Sequence, residues 1–420
     1  MAAKQLQSIR GIHDGLPSEV RLWQRVEQAA RNTFARYAFS EVRLPVLEPT
    51  ELFVRSIGEA TDIVSKEMYA FTDQGNDSIC LRPEGTAGSV RAYLQGGLTR
   101  AGVQRWFYIG PMFRRERPQK GRLRQFQQIG VEMFGAHGPL EDAEVLAMAH
   151  GFLSELGIAG LHLEINSLGC AACRPAYRDA LVAYLNQRTE SLCGTCNDRL
   201  DKNPMRILDC KNANCQSELS GAPEMVDSLC DDCETHFSGL KAGLSALDVP
   251  YRINARIVRG LDYYNRTAFE IVTDQLGSQG TVLAGGRYDG LVSELGGPPT
   301  SAIGFAAGLE RLGMLLADQA DPEEAVSLVD IAMVALGEST LIYSMQQAAK
   351  LRAAGFRVVH GGGGSAKRQF KVADREGARF VVVIGEDEMQ SGRLTLKTMA
   401  SGEQQQLDME ELIQLIHQAS

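Results

Sequence analysis

Two stretches, QRWFYIGPMFRR (residues 104–115) and LRQFQQIGVEMFG (residues 123–135), read as strands joined through a loop, ERPQKGR, whose Pro118 and Gly121 suit a turn. A hairpin of this kind commits the chain to a sheet here. It also concentrates charge: six Arg or Lys residues occupy the eleven positions from Arg114 to Arg124, opposed only by Glu116. The chain as a whole is acidic, with a formal net charge of -9. An acidic balance argues against indiscriminate nucleic-acid binding and leaves room for a local basic site.

Side chains alternate across a strand, so Arg122, Arg124, Phe126, Gln128, Gly130 and Glu132 share one face. Gln128 and Glu132 then flank a bare glycine, which implies a notch floored by backbone with a polar group at each end. Clustered arginines are ordinarily a solvated charge run. A strand serving only as core, however, does not place Gln and Glu in this way. The pattern favours a ligand that joins a phosphate, gripped by arginine forks, to a small polar group. Other stretches fit the same ligand. LRPEGTAG offers Glu84 and Thr86 in a tight turn, RGLDYYNR groups Arg259, Asp262, Tyr263 and Tyr264, and GLERL carries Arg311.

At 420 residues the chain exceeds what one hydrophobic core usually supports, which predicts two or three domains. No apolar run approaches the ~20 residues that span a bilayer. The opening MAAKQLQSIRGIHDGLP lacks the apolar core of a signal peptide. The expectation is a soluble cytoplasmic protein without membrane partners. A helix is expected over residues 18–38, an extended segment at VRLPVLEP, a strand into a turn at SICLRPEGTAG, and a short helix at SVRAYLQ. NARIVRGLDYYNRTAFEIVT and GTVLAGGRYDGLV read as strand-like, and TSAIGFAAGLERLGMLL as a strand entering a buried helix. DQADPEEAVS is the best linker candidate. Beyond it, strands and helices alternate, which implies a C-terminal α/β domain with a mostly parallel sheet.

Eight of the nine cysteines lie between Cys170 and Cys233, as the pairs Cys170/Cys173, Cys193/Cys196, Cys210/Cys215 and Cys230/Cys233. These spacings match or approach those of structural zinc sites, and eight thiolates fill two tetrahedral sites. Disulfides fit a reducing compartment poorly. Four pairs combine into two sites in three ways, and His236 could replace one ligand. Free thiols are the plainer alternative. GGGGSAKRQF is not a phosphate-binding P-loop, because Lys367 follows Ala366 and no Ser or Thr follows the lysine. The seven histidines form no metal or catalytic spacing.

GPMFRRERPQKGRLRQF resembles the second signature motif of class II aminoacyl-tRNA synthetases, GFAAGLERL the third, and the segment around LPVLEP the first. IVRGLDYYNRTAFE and LAGGRYDGL are similar to segments that mark histidyl-tRNA synthetases. The likeness runs from IRGIHDGLP through HGGGGSAKRQFKVADREGARFVVVIGE and departs clearly only at the cysteine-rich insert. It implies an α+β fold: a class II antiparallel sheet flanked by helices over residues 1–169 and 251–320, an insertion at 170–250, and an α/β anticodon-binding domain at 328–420. It implies a homodimer that binds ATP with Mg2+, histidine and tRNA(His). It further implies that Arg114 holds the ATP α-phosphate and Arg311 the γ-phosphate, with Arg122 beside them. Arg259 would meet the α-phosphate and the histidine carboxylate, and Arg259 and Arg114 would be the catalytic pair. Glu84, Thr86 and Gln128 would hold the α-amino end, while Glu132, Tyr263 and Tyr264 would surround the imidazole. Arg117 and Gln119 would meet the acceptor end of the tRNA, and Lys367, Arg368 and Lys371 the anticodon arm.

Two rival readings stand beside this one. A non-catalytic paralogue that regulates ATP phosphoribosyltransferase would lack the anticodon domain and carry degraded histidine motifs, whereas this chain keeps Arg114, Arg259, Arg311 and a full C-terminal region. A synthetase for proline, threonine or glycine is opposed by RGLDYY and AGGRYDG.

Overall fold

The structure is a computed structural model that describes residues 6–58, 61–117, 121–275, 280–319 and 329–419. The chain forms two units, Met1–Gln319 and Ala320–Ser420. The linker expected around DQADPEEAVS lies almost wholly outside the described residues.

The first unit is built on an eight-stranded sheet. Its order across the sheet is Ser40–Glu41, Gln104–Phe113, Gln125–Phe134, Ala302–Gly308, Thr281–Arg287, Asn265–Thr273, Leu161–Ser167 and Tyr251–Ile253. The five pairings in the middle are antiparallel, and only the two short edge strands pair parallel. The hairpin expected from the opening pattern is present, with ten residues in each strand.

Period-two alternation divides this sheet into two unlike faces. Ile129, Val131 and Met133 point into one core together with Phe107, Phe269 and Phe305. Helices Pro17–Arg36, Pro139–Glu155, Asp231–Ala246 and Leu309–Gln319 supply Phe34, Phe152, Leu240 and Leu312 to that core. Two of these helices approach closely: a methyl group at Gly243 would stand 2.7 Å from the Ala143 Cβ. The intervening residues Gln128, Gly130 and Glu132 face the other way. On that side a second core gathers Phe53, Tyr93, Phe134, Tyr263, Tyr264 and Tyr288. The strand-like reading of NARIVRGLDYYNRTAFEIVT holds only from Asn265 to Thr273, because residues 254–264 form an irregular loop.

The cysteine-bearing stretch is mostly short helices. Its own small core is made of Tyr177, Leu181, Leu185, Ile207, Leu219, Met225 and several cysteines.

The second unit carries a five-stranded sheet ordered Val358–His360, Ile331–Ala335, Phe380–Ile384, Leu394–Thr398, Gln404–Leu407. The first three strands are parallel and the last two antiparallel, so the sheet is less parallel than the alternation suggested. The last strand, Gln-rich and mostly exposed, carries no apolar alternation that would announce it.

Candidate active site

Register explains why a cleft forms over the second face. Gln128, Gly130 and Glu132 stand opposite Gly308, Ala306 and Gly304 of the next strand, and those in turn lie beside Ala284 and Gly286. Glycine and alanine therefore pave the middle of the sheet. Glu270, opposite Ala284, borders the far side. At Gly308 a methyl group would meet nothing within 4 Å, so the floor is open there. At Gly130 it is not: the ring of Tyr108, from the facing hairpin strand, covers the glycine and also presses on Gly85. The notch beside Gly130 thus has the backbone floor that the pattern implied, but an aromatic ring occupies it. Side chains larger than hydrogen at Gly85 and Gly130 would exclude Tyr108.

Polar groups converge above this floor. Glu132 is 1% exposed, and its carboxyl accepts from the Thr86 hydroxyl at 2.7 Å and from the Tyr288 hydroxyl. Burial pushes its pKa up to about 8, against the pull of those two hydrogen bonds and with the negative charge of Glu84 adding to the rise. Glu84 accepts the amides of Thr86 and Ala87 at 2.6 and 2.8 Å, capping the helix Thr86–Gln95. Burial raises its pKa as well, and the two amides pull it back. Tyr263, Tyr264 and Tyr288 form an aromatic wall with ring centroids 4.7–6.4 Å apart. The Tyr108 hydroxyl lies 3.5 Å from the Gln128 side-chain oxygen.

Arg259 reaches in from the irregular loop. Its guanidinium lies over the Tyr264 ring at 4.9 Å and donates to Glu270 at 3.2 Å. Among the described residues, four buried side-chain polar atoms have no hydrogen-bond partner, and two of them are here: Arg259 Nε and the Tyr263 hydroxyl. Unpaired polar atoms at this depth cost stability unless a ligand supplies their partners.

The remaining arginines line the approach. Arg114 donates to the Pro83 carbonyl at 2.8 Å and lies over Phe126. Arg122, exposed, donates to Glu116 at 3.2 Å. Arg311 donates to the Thr281 carbonyl. Burial and the neighbouring Arg122 guanidinium lower the Arg311 pKa, so the two cations crowd each other where an anion would relieve both.

Three other expectations meet the structure differently. Arg117 is exposed on the loop, and Gln119 lies outside the described residues. Lys367 and Arg368 are exposed on the first turn of helix Ala366–Arg375, in the second unit. Thr86, grouped with the α-amino contacts by resemblance, is bonded to Glu132. Tyr108, Tyr288 and Glu270 were missed. All three stand in stretches singled out by sequence: Tyr108 faces a glycine across the hairpin, Tyr288 follows the AGGR strand, and Glu270 closes NRTAFE.

The eight cysteines gather into two clusters, Cys170, Cys173, Cys230 and Cys233, and Cys193, Cys196, Cys210 and Cys215, with all sulfurs of a cluster within 4.8 Å of one another. The pairing left open by spacing is therefore nested, outer pairs together and inner pairs together. Individual separations of 3.6–3.8 Å suit the ~3.8 Å edge of a thiolate tetrahedron around zinc with ~2.3 Å bonds. Backbone amides of Cys193, Asn212 and Cys230 point at cluster sulfurs at 3.1–3.5 Å. His236 is not a ligand. Its Nε2 faces Asp142 at 2.9 Å and Thr267 at 3.2 Å in the main core.

Comparison with known proteins decides the family. The model described as histidyl-tRNA synthetase matches residues 11–312, and that of an anticodon-binding domain matches residues 330–419. The chain belongs to the histidyl-tRNA synthetase family. It is 48% identical over 411 residues to the histidine–tRNA ligase of Anaeromyxobacter sp. (strain K), covering 97% of this chain and 98% of that one. With the histidine–tRNA ligase of Trichlorobacter lovleyi the identity is 49% over 407 residues, 96% of each chain. The apo histidyl-tRNA synthetase of S. aureus superposes with a TM-score of 0.80 at 34% identity, covering 98% of this chain and 100% of that one. A regulatory subunit/histidyl-tRNA synthetase of Bacillus halodurans C shares the fold at 20% identity, over 91% of this chain and 99% of that one, with a TM-score of 0.67. As a family member this chain is a histidine–tRNA ligase, which activates histidine with ATP to the adenylate and then transfers it to the 3′ end of tRNA(His). The large antiparallel sheet and the C-terminal α/β unit are the family's catalytic and anticodon-binding parts. Among the described residues no helix is long and apolar enough to cross a membrane.

Proposed function

We propose that the cleft over the glycine–alanine floor binds histidine between the three tyrosines and Glu132, with ATP entering along Gly308 as its magnesium complex. The observation that carries this reading is that one loop buries two polar atoms without partners, Arg259 Nε and the Tyr263 hydroxyl, while the Arg259 guanidinium lies over the Tyr264 ring and the Tyr263 hydroxyl feels the charges of Glu84 and Glu132. Glu132 accepts one imidazole N–H, and Tyr264 packs on the ring. Glu84, Thr86 and Gln128 receive the α-amino group. Arg259 holds the carboxylate against the α-phosphate, Arg114 grips the α-phosphate from the other side, and Arg122 and Arg311 hold the outer phosphates.

The chemistry explains the residue types. The histidine carboxylate attacks the α-phosphorus, a new P–O bond forms, and the bond to pyrophosphate breaks with its electron pair. Negative charge grows on the phosphate oxygens. Fixed guanidinium groups stabilise that charge and align two anions that otherwise repel. Arginine keeps its charge when buried and grips two oxygens at once. A pocket whose polar groups are matched to imidazole disfavours apolar amino acids, which leave those groups unpaired.

The same reading includes two structural zinc ions, one in each cysteine cluster, staking out a stretch with little core of its own. It includes a homodimer in the cytoplasm, Arg117 and Gln119 at the acceptor end of the tRNA, and Lys367 and Arg368 at the anticodon arm. It divides the chain into a catalytic part (1–169 and 251–320), an insertion (170–250) and the anticodon domain (328–420). Histidine-dependent ATP–pyrophosphate exchange tests the central assignment. Tyr263→Phe should retain exchange with a raised histidine KM, while Arg259→Ala should lose it. Normal exchange by Arg259→Ala would refute the role of that residue.

A further inference from the structure

The cysteine-bearing stretch does not stand apart from the cleft. Between the two inner cysteine pairs, the segment from Arg199 to Arg206 lies against the loop that carries Arg259, Tyr263 and Tyr264. Asn203 donates to Asp262 at 3.3 Å, and Arg199 donates to Asp62 at 3.4 Å. The Arg206 guanidinium lies against Gly260, where an added methyl group would stand 2.8 Å from its nitrogen. Met205 packs on both the insertion core and the core that holds Tyr263 and Tyr264, and Val258 packs back on the insertion core. Arg206 Nε is a third of the four unpartnered buried polar atoms, so three of the four surround this one loop.

The outer cluster reaches the same loop from its other end. Arg174, next to Cys173, donates to the carbonyl of Tyr264 and to that of Leu168 at 3.2 Å. Residues 254–264 have no strand or helix of their own, so their conformation depends on such outside contacts. Arg174 opens the helix Arg174–Asn186 directly after Cys173, Asn203 and Arg206 lie between Cys196 and Cys210, and the apolar side chains of these elements share one small core with the cysteines.

We propose that the two cysteine clusters are zinc sites that latch the histidine-binding loop. The inner ion holds the arm bearing Asn203, Met205 and Arg206 against residues 258–262, and the outer ion holds Arg174 on the Tyr264 carbonyl. These are positioning residues: they touch no substrate and act through Arg259 and Tyr264. The latch rests on the zinc and histidine-site reading above, but its own signature is the order of the loop.

The test uses the full-length chain. Zinc-replete protein should carry two zinc ions per chain by elemental analysis, and the double variant Cys196→Ser/Cys215→Ser should carry one. Hydrogen–deuterium exchange of the segment 257–264 should then accelerate at least tenfold while strand Gln125–Phe134 is unchanged. The histidine KM should rise on the order of tenfold, with the ATP KM unmoved. Arg206→Ala should reproduce the loop exchange and the KM split with both ions retained, and it decides the matter if the cysteine variant does not fold. Zinc-replete protein that holds no zinc, or an unchanged loop in both variants, would overturn the latch. A loosened loop with an unchanged histidine KM would instead uphold the latch and overturn the histidine assignment.

Discussion

Arg287 is buried in the catalytic unit and Arg259 is half-buried there, and their surroundings could hardly differ more. Arg287 is fully buried and fully bonded. It donates to Asp142, to Asp289 at 3.0 Å, and to the carbonyls of Ala136 and Gly138 at 2.6 and 3.0 Å. Asp142 is completed in turn by His236 and Thr267. Arg259 makes one ion pair, stacks on one ring, and leaves Nε without a partner. A charge whose every N–H is satisfied can only hold the fold together. One with an open valence in a cleft is built for an anion that arrives later.

The sharpest way to break this contrast is to remove each arginine. Arg287→Met leaves Asp142 buried beside a neutral side chain, and breaking such a pair costs about 3–5 kcal/mol. Urea unfolding should show it, and a loss below about 1 kcal/mol would mean that Arg287 is no more structural than Arg259. Arg259→Ala should do the reverse. Its unfolding free energy should stay within about 1 kcal/mol of the parent, because Glu270 keeps the Thr281 hydroxyl at 2.7 Å. Its histidine-dependent pyrophosphate exchange should fall by about 10²–10³.

The acids sharpen the comparison further. Asp142, beside Arg287 and His236, has its pKa lowered despite burial, whereas Glu132 is raised to about 8 chiefly by burial. The signs follow from linkage. Between its unfolded value near 4.5 and about 8, Glu132 keeps its proton in the folded chain and loses it in the unfolded chain. Its contribution to stability therefore declines as pH rises through that window, with a limiting slope of about 1.4 kcal/mol per pH unit. Glu132→Gln removes the slope. Melting curves at pH 5 and pH 8 should thus differ less for the variant than for the parent, and equal differences would place the titration elsewhere.

Which side of this contrast was legible in the sequence follows from distance along the chain. Gln128, Gly130 and Glu132 were readable because period two is local to one strand. Arg114, Arg259 and Arg311 came through the likeness of short motifs. The floor was not readable, since Gly304, Ala306 and Gly308 reach Gln128–Glu132 only through a register set some 170 residues away. Tyr108 lies between these cases: Gly130, which admits its ring, stands opposite it in the same hairpin, but Gly85, the other glycine it presses on, belongs to a separate turn. The Arg287–Asp142 network spans 145 positions and has no local pattern at all. Cysteine spacing predicted the clusters, but only folding could choose the nested pairing over its alternatives.

The smallest expected effect lies in the second unit, at Lys367 and Arg368, whose side chains are exposed and make no ion pair among the described residues. Lys367 and Arg368 sit on the first turn of their helix, with Ser365 capping the Arg368 amide. Solvated cations of this kind contribute to nucleic-acid binding mainly by releasing counterions from phosphates, so each contributes little and their effects add. The double variant Lys367→Ala/Arg368→Ala should leave pyrophosphate exchange intact, because activation needs no tRNA contact. It should weaken tRNA binding and flatten the dependence of log affinity on log salt by about one per cation. An unchanged salt slope would mean that these side chains face solvent in the complex, and that the basic contacts to tRNA lie on another face of that unit.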